Sequence, residues 1–313
     1  MGIARAMIKL LMREGKRERF SGKAITAGRQ DVYSTAESLI QWAKEMDYSL
    51  RPGVKMELSE NEMFRKMNYI SDNALFHSLG FDSVESIDYS HYQNCTIVHD
   101  LNDDIPYQHH EKYDLVFDGG TMEHVFNVPK VLENFSRMTK IGGRIIHASP
   151  SSNHVDHGLY MFSPTLFVDY YSSNHWSIID TLFFEYKPSS KIGIFGERRW
   201  NIYLYSPGSL DTWIFGGYKD MYGVFSVSKK TGDTITDGNV YQGRFRQTRN
   251  IASKGDAITS EIMDVLNNKT LIQRIAYSKQ MFSPQLRDKI RPLYHRLAQK
   301  LPLAFHLKKI ARY

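Results

Sequence analysis

The feature that most constrains this chain is a regular alternation of short apolar runs with segments of helical periodicity. The runs are Lys23-Ala24-Ile25-Thr26-Ala27, Ser83 to Asp88, Cys95 to His99, Tyr113 to Phe117 and Arg144 to Ala148. Their shortness and near-continuous apolar character suit strands buried on both faces. Between them, Thr35 to Met46, Glu60 to Leu79 and Val128 to Thr139 read as helices, the second stopped by Gly80. A helix near Pro164–Ser172 and strands near Ser177–Tyr186 and Tyr222–Ser228 follow. Strand–helix–strand alternation predicts an α/β fold: a mostly parallel sheet with crossover helices on its faces.

Three segments are expected. Residues 1–22 form a basic amphipathic helix with Ile3, Met7, Leu10 and Leu11 on one face. Residues 23–230 form the α/β domain, within which 187–221 is rich in Gly, Pro and aromatics and gives no clear order. Residues 231–313 form a mainly helical, basic C-terminal extension, broken by Pro284, Pro292 and Pro302. Charge is divided accordingly. Residues 1–23 hold seven Lys/Arg against two Glu, and 284–313 hold eight against one Asp, so at +6 overall the middle is acidic. Basic ends on an acidic body predict peripheral contact with an anionic membrane or, less favoured, nucleic acid; solvated helix faces explain the same pattern equally well. No run approaches the roughly 18 apolar residues of a spanning helix, and no secretion signal is evident. The expectation is a cytoplasmic protein, with association at the inner membrane face as an option. A single cysteine, Cys95, excludes an intrachain disulfide framework or a cysteine-based zinc site.

In an open parallel sheet, ligands bind beyond the carboxyl ends of the strands. Here those positions carry Gly28-Arg29-Gln30-Asp31, Asp88-Tyr89-Ser90, Asp100-Leu101-Asn102, Asp118-Gly119-Gly120-Thr121 with Glu123-His124, and Ser149 to His154. Small and polar residues therefore gather along one edge of the predicted sheet. Asp88 is placed to accept ribose hydroxyl hydrogen bonds or to cap its strand. Asp100 can accept from a base amino group or form an Asx turn. Gly28 and Gly119 allow close backbone approach or serve plain turns.

Tyr113 to Asp118 followed by Glu123-His124-Val125, a helix and Gly142-Gly143-Arg144 resembles the fourth-to-fifth strand region of class I, Rossmann-like, S-adenosylmethionine-dependent methyltransferases. Ile87-Asp88-Tyr89-Ser90 and Asp100-Leu101 are similar to that family's second- and third-strand motifs. His157 to Pro164 with Leu166-Phe167 resembles members associated with bacterial surface-glycan clusters. The resemblance spans about residues 23–230. It implies a Rossmann-like sheet whose last strand is antiparallel and S-adenosylmethionine as cofactor, held by Gly28, Arg29, Gln30, Asp88, Tyr89, Asp100, Leu101, Asp118 and Gly119. It also implies O-methylation of a glycan or other small molecule. RNA methylation and a non-catalytic, methyltransferase-like binding protein are the alternatives. One departure stands out: Thr26-Ala27-Gly28-Arg29-Gln30 has a single glycine where the family has several. That thin loop also argues against a dinucleotide, whose pyrophosphate needs G-x-G-x-x-G.

Two histidines are the expected catalytic residues. His124, read as opening a helix, would lie at a positive dipole end that favours the neutral imidazole of a base, or else caps or packs at the helix start. His154, in the loop after the fifth strand, would contact the acceptor, and His157 nearby could share either task. The histidines and Asp156 lack an H-E-x-x-H pattern or cysteine support, so no metal is expected. The acceptor and the oligomeric state are left open.

Overall fold

The computed structural model describes residues 2–187, 199–207, 220–243 and 308–313. A nine-stranded sheet runs in the order β3-β2-β1-β4-β5-β8-β6-β7-β9. Its strands are β1 (Lys23–Ala27), β2 (Ser83–Asp88), β3 (Ile97–Val98), β4 (Tyr113–Asp118), β5 (Thr139–Ser152), β6 (Ser177–Tyr186), β7 (Asn201–Leu204), β8 (Met221–Lys229) and β9 (Lys308–Arg312). The first five pair in parallel. Strand β8 inserts antiparallel between β5 and β6, and β7 and β9 extend the edge antiparallel. The fold is thus Rossmann-like α/β, with the late antiparallel strand as expected.

Helices cover both faces. On one lie α1 (Arg5–Arg17), α2 (Ala36–Glu45) and α4 (Asp72–Leu79), with the short α3 (Glu62–Lys66) in the connection between α2 and α4; on the other lie α5 (Val128–Met138) and α6 (Pro164–Ser173). Two apolar clusters follow. One joins Met7, Leu10, Leu11, Leu39, Trp42 and Phe76 to the strand residues Phe117, Ile146, Phe184 and Phe225. The other joins Val131, Leu132, Phe135 and Phe167 to Ile25, Val116, Ile145 and Val224.

The expected N-terminal amphipathic helix forms, and its apolar face packs into the domain: Met7, Ile8, Leu10, Leu11 and Met12 are buried, each contributing about 1.5–3 kcal/mol of transfer free energy. Its cations are paired, Arg5 and Lys9 with Glu45, Arg13 with Asp180, and Arg17 with Glu14 and Asp180. The predicted helix Glu60–Leu79 is two helices. Asn68 at φ 57° breaks the turn, Leu58 bridges Ile70, and the Ser71 side chain caps α4 by accepting from Ala74 N–H. Finally, Lys308–Arg312 is strand β9 against β7 rather than helix, because Tyr313 and Trp200 exchange backbone hydrogen bonds that hold the segment on the sheet edge. The rest of the predicted helical extension, 244–307, lies outside the described residues.

Strand order reverses between β1 and β4. The chain runs outward from β1 through β2 to β3, then returns to β4 on the other side. Helices on opposite faces leave a crevice at the carboxyl ends there.

Candidate active site

At that switch point the chain turns sharply after β1. Gly28 sits at φ 68°, in the left-handed region, and its N–H donates to Ile87 O at 2.6 Å. A Cβ on Gly28 would lie 2.9 Å from Thr121 Oγ1 and 3.6 Å from Asp88 Oδ2. The ends of β1, β2 and β4 therefore converge within a few ångströms. Thr121 Oγ1 donates to Ala27 O at 2.6 Å, tying the post-β4 loop to β1. Asp88 receives the Ser90 N–H on Oδ1 at 3.1 Å, and Oδ2 faces the glycine turn.

A cleft of about 450 Å³ opens beside this turn, lined among others by Arg29, Gln30, Asp31, Thr121, His154 and His157. Tyr186 and Met221 close its far wall. They arrive there because β6 ends, and antiparallel β8 begins, at the carboxyl edge of the parallel strands. Arg29 does not present its charge to a ligand. It is buried in an ion pair with Asp72 at 2.6 Å, and Asp72 also takes the Gln30 N–H at 2.9 Å. Gln30 Nε2 donates to Ala27 O at 2.8 Å, while Gln30 Oε1 is buried without a hydrogen-bond partner. Asp31 Oδ1 likewise accepts no hydrogen bond, and burial pushes the Asp31 carboxyl above its ordinary range against the opposing hydrogen bonds of Gln93 and Asn61. Gln30 and Asp31 thus line the cleft, each with one buried acceptor left unmatched.

Several predicted cofactor residues are placed elsewhere. Asp118 is fully buried. Its Oδ1 accepts Thr121 and Met122 N–H at 3.0 and 3.2 Å, and its Oδ2 meets His147 Nδ1 at 2.9 Å. His147 Nε2 in turn meets Tyr171 OH at 2.6 Å. Burial would raise the Asp118 carboxyl, but the His147 hydrogen bond and charge outweigh it and hold the group below its ordinary value. With both oxygens engaged, Asp118 organises the loop and does not reach a ligand. Gly119 packs against Gln30 Oε1 and Phe117, with which a Cβ would collide, so it serves packing instead of ligand approach. The Leu101 side chain is 4% exposed and belongs to the core with Ile105 and Met122. Asp100 Oδ1 accepts both the backbone and side-chain N–H of Asn102, at 2.9 and 2.8 Å, in an Asx turn. Tyr89 projects outward, 74% exposed.

The catalytic expectation is revised as well. His124 ends a short 3-10 turn, Met122–His124, and α5 begins only at Val128. It therefore gains nothing from a helix N-terminus. Burial is what lowers the His124 imidazole, with the Glu123 charge opposing and that of His157 adding to it. His154, by contrast, lies in the cleft wall. Burial pulls its pKa down to about 4, and Nε2 is buried without a partner. His157, which the spacing left undecided, lines the cleft beside it. Its ring centroid is 5.3 Å from that of His124 and 5.7 Å from that of His154. Below these rings sits Glu123, fully buried, with His157 Nε2 3.4 Å from Oε1. Glu123, Asp31 and Thr121 stand in polar runs just past strand ends, and that position is the only mark the sequence carries of their place at the site.

No family model and no curated protein matches the chain. Among solved structures, the YcgJ protein of Bacillus subtilis is similar over 72% of this chain and 99% of its own, at 10% identity and a TM-score of 0.39. The 1,6-didemethyltoxoflavin-N1-methyltransferase of Burkholderia thailandensis, solved with S-adenosylhomocysteine, aligns over 72% and 78% at 9% identity and 0.35. A geranyl diphosphate methyltransferase, solved with SAM, aligns over 72% and 85% at 11% identity and 0.37. Likeness at this distance carries no argument about chemistry. The function has to come from the chain's own geometry.

Proposed function

We propose that the chain is an S-adenosylmethionine-dependent methyltransferase acting on a hydroxyl oxygen of a sugar or other small molecule. One observation carries this reading. At the switch point Asp88 Oδ2 faces the Gly28 turn, and on two residues lining the adjoining cleft Gln30 Oε1 and Asp31 Oδ1 accept no hydrogen bond. An acceptor-rich pocket suits a cationic ligand with hydroxyls to donate. It disfavours a pyrophosphate, more so because Arg29 is already spent on Asp72.

When bound, S-adenosylmethionine supplies an electrophilic methyl on a sulfonium. The residues fitted to hold it are Asp88, accepting from the ribose hydroxyls, and Asp31 with Gln30, accepting from the amino group. The Gly28 turn lets backbone come close without a side chain intervening. His154, His157, Tyr186 and Met221 then form the acceptor wall. His154, kept neutral by burial, accepts a hydroxyl hydrogen bond and orients the nucleophile. Holding the two reactants in line accounts for most of the acceleration, because the methyl is already activated. The acceptor proton leaves at the border of the cleft, where Glu123, His124 and His157 cluster. Lys9, Arg13 and Arg17 are paired with carboxylates of the domain, which supports a small-molecule acceptor over RNA.

Thermal unfolding of the full chain tests the reading. S-adenosylmethionine and S-adenosylhomocysteine should each raise the melting temperature with increasing concentration, and nicotinamide dinucleotides should not. No shift with either adenosyl compound would overturn it in favour of a non-catalytic fold.

A further inference from the structure

We propose that Glu123, His124 and His157 bind one divalent transition-metal ion of the zinc, manganese or iron kind at the border of the cleft. One donor atom from each residue lies within 4.8 Å of the others, a spread that a single ion can draw together. Glu123 supplies the independent sign of a ligand. It is 0% exposed, and both carboxylate oxygens are buried with no hydrogen-bond partner. A carboxylate removed from water without hydrogen bonds is costly unless a cation compensates it. The nearby cationic candidate is His157 Nε2, 3.4 Å from Oε1 and itself a metal-ligating atom.

The surrounding backbone holds this arrangement in place. Leu159 and Tyr160 N–H both donate to Glu123 O, at 2.8 and 3.1 Å. These bonds press the loop that carries His157 onto the turn that carries Glu123 and His124. The approach is possible because residue 158 is glycine: a Cβ there would lie 3.0 Å from Glu123 Cγ and 3.2 Å from His124 Nδ1. Two imidazoles and one carboxylate, with coordination positions left over, suit a borderline transition ion. Magnesium and calcium prefer oxygen donors throughout. The sequence hides the site because His157 is brought to the Glu123-His124 pair by tertiary closure, not by helical spacing.

The role of the ion rests on the proposed methyl transfer. An acceptor hydroxyl bound at an open position loses its proton to solvent more readily. Its oxygen then takes the methyl, and the electrons of the broken carbon–sulfur bond stay on sulfur, leaving the neutral thioether. Metal binding itself does not depend on that reading.

The test is calorimetric titration of the chelator-stripped full chain with Zn²⁺, Co²⁺ and Mg²⁺, alongside cobalt absorption spectra. One site for zinc and cobalt is expected, with magnesium far weaker. His124→Ala and His157→Ala, at positions with solvent contact and little risk to folding, should each weaken zinc binding by at least the roughly 10–100-fold that loss of an outer-shell partner costs. Glu123→Gln should do the same. Absence of zinc binding, or binding unaltered by both histidine substitutions, would overturn the site. Zinc binding without any response to S-adenosylmethionine would leave the site standing and sink the methyl-transfer reading alone.

Discussion

Two carboxylates, Asp118 at the end of β4 and Glu123 just beyond it, have opposite characters. Asp118 and Glu123 are both fully buried. Every oxygen of Asp118 is matched, through Thr121, Met122 and His147, and the network closes on Tyr171. Both oxygens of Glu123 lack hydrogen bonds. A closed network contributes to holding the fold together, whereas an orphaned carboxylate costs stability and needs a reason outside the chain. Beside the glycine turn the balance is mixed: Arg29 is ion-paired with Asp72, while Gln30 and Asp31 each keep one buried acceptor unmatched. Type and position in sequence do not distinguish members of these pairs; hydrogen-bond accounting does.

The comparison breaks first at Asp118. Asp118→Ala should destabilise the fold by about 3–5 kcal/mol, because His147 and two backbone N–H groups lose their partner in a dry site. Urea unfolding measures this, and a loss below about 1 kcal/mol would mean the network is not structural. Glu123→Gln should behave in the reverse manner: unchanged or higher melting temperature, with turnover on a hydroxyl acceptor lower by about a hundredfold. A variant that melts early yet turns over normally would place Glu123 with Asp118 as a structural group.

How far the sequence revealed these differences varied with distance along the chain. Apolar runs flanked by Gly and Asp located β1 and β2 to the residue and β4 to within one, since buried parallel strands have a local signature. The burial of α1 was not legible, because an amphipathic basic helix looks the same whether its apolar face meets a sheet or a lipid. Nor was β9, which forms only by pairing with β7 about a hundred residues earlier. At the site, Gly28 and Asp88 were legible as strand-end residues. The partnering of Asp118 by His147, and the meeting of His157 with Glu123, depend on register and loop closure and leave no mark on the local pattern.

A smaller effect sharpens the account of His154. Its folded pKa, about 4, lies below the roughly 6.5 of an unfolded histidine. Between these values the unfolded chain binds a proton that the folded chain refuses, so stability present above pH 6.5 is lost as pH falls towards 4. In His154→Gln the melting temperature should decline less steeply over that window. Parallel curves for the two proteins would show that His154 titrates normally and is not held neutral in the cleft wall.

The central claim is that the acceptor-rich switch point binds a cationic, hydroxyl-bearing methyl donor. Calorimetric titration of the full chain with S-adenosylmethionine addresses it most directly, with Asp88→Ala as the companion. The account predicts one site per chain, and an affinity for the donor weakened in folded Asp88→Ala by about 1–3 kcal/mol. No heat of binding to the folded parent, or equal affinity in the two proteins, would contradict it.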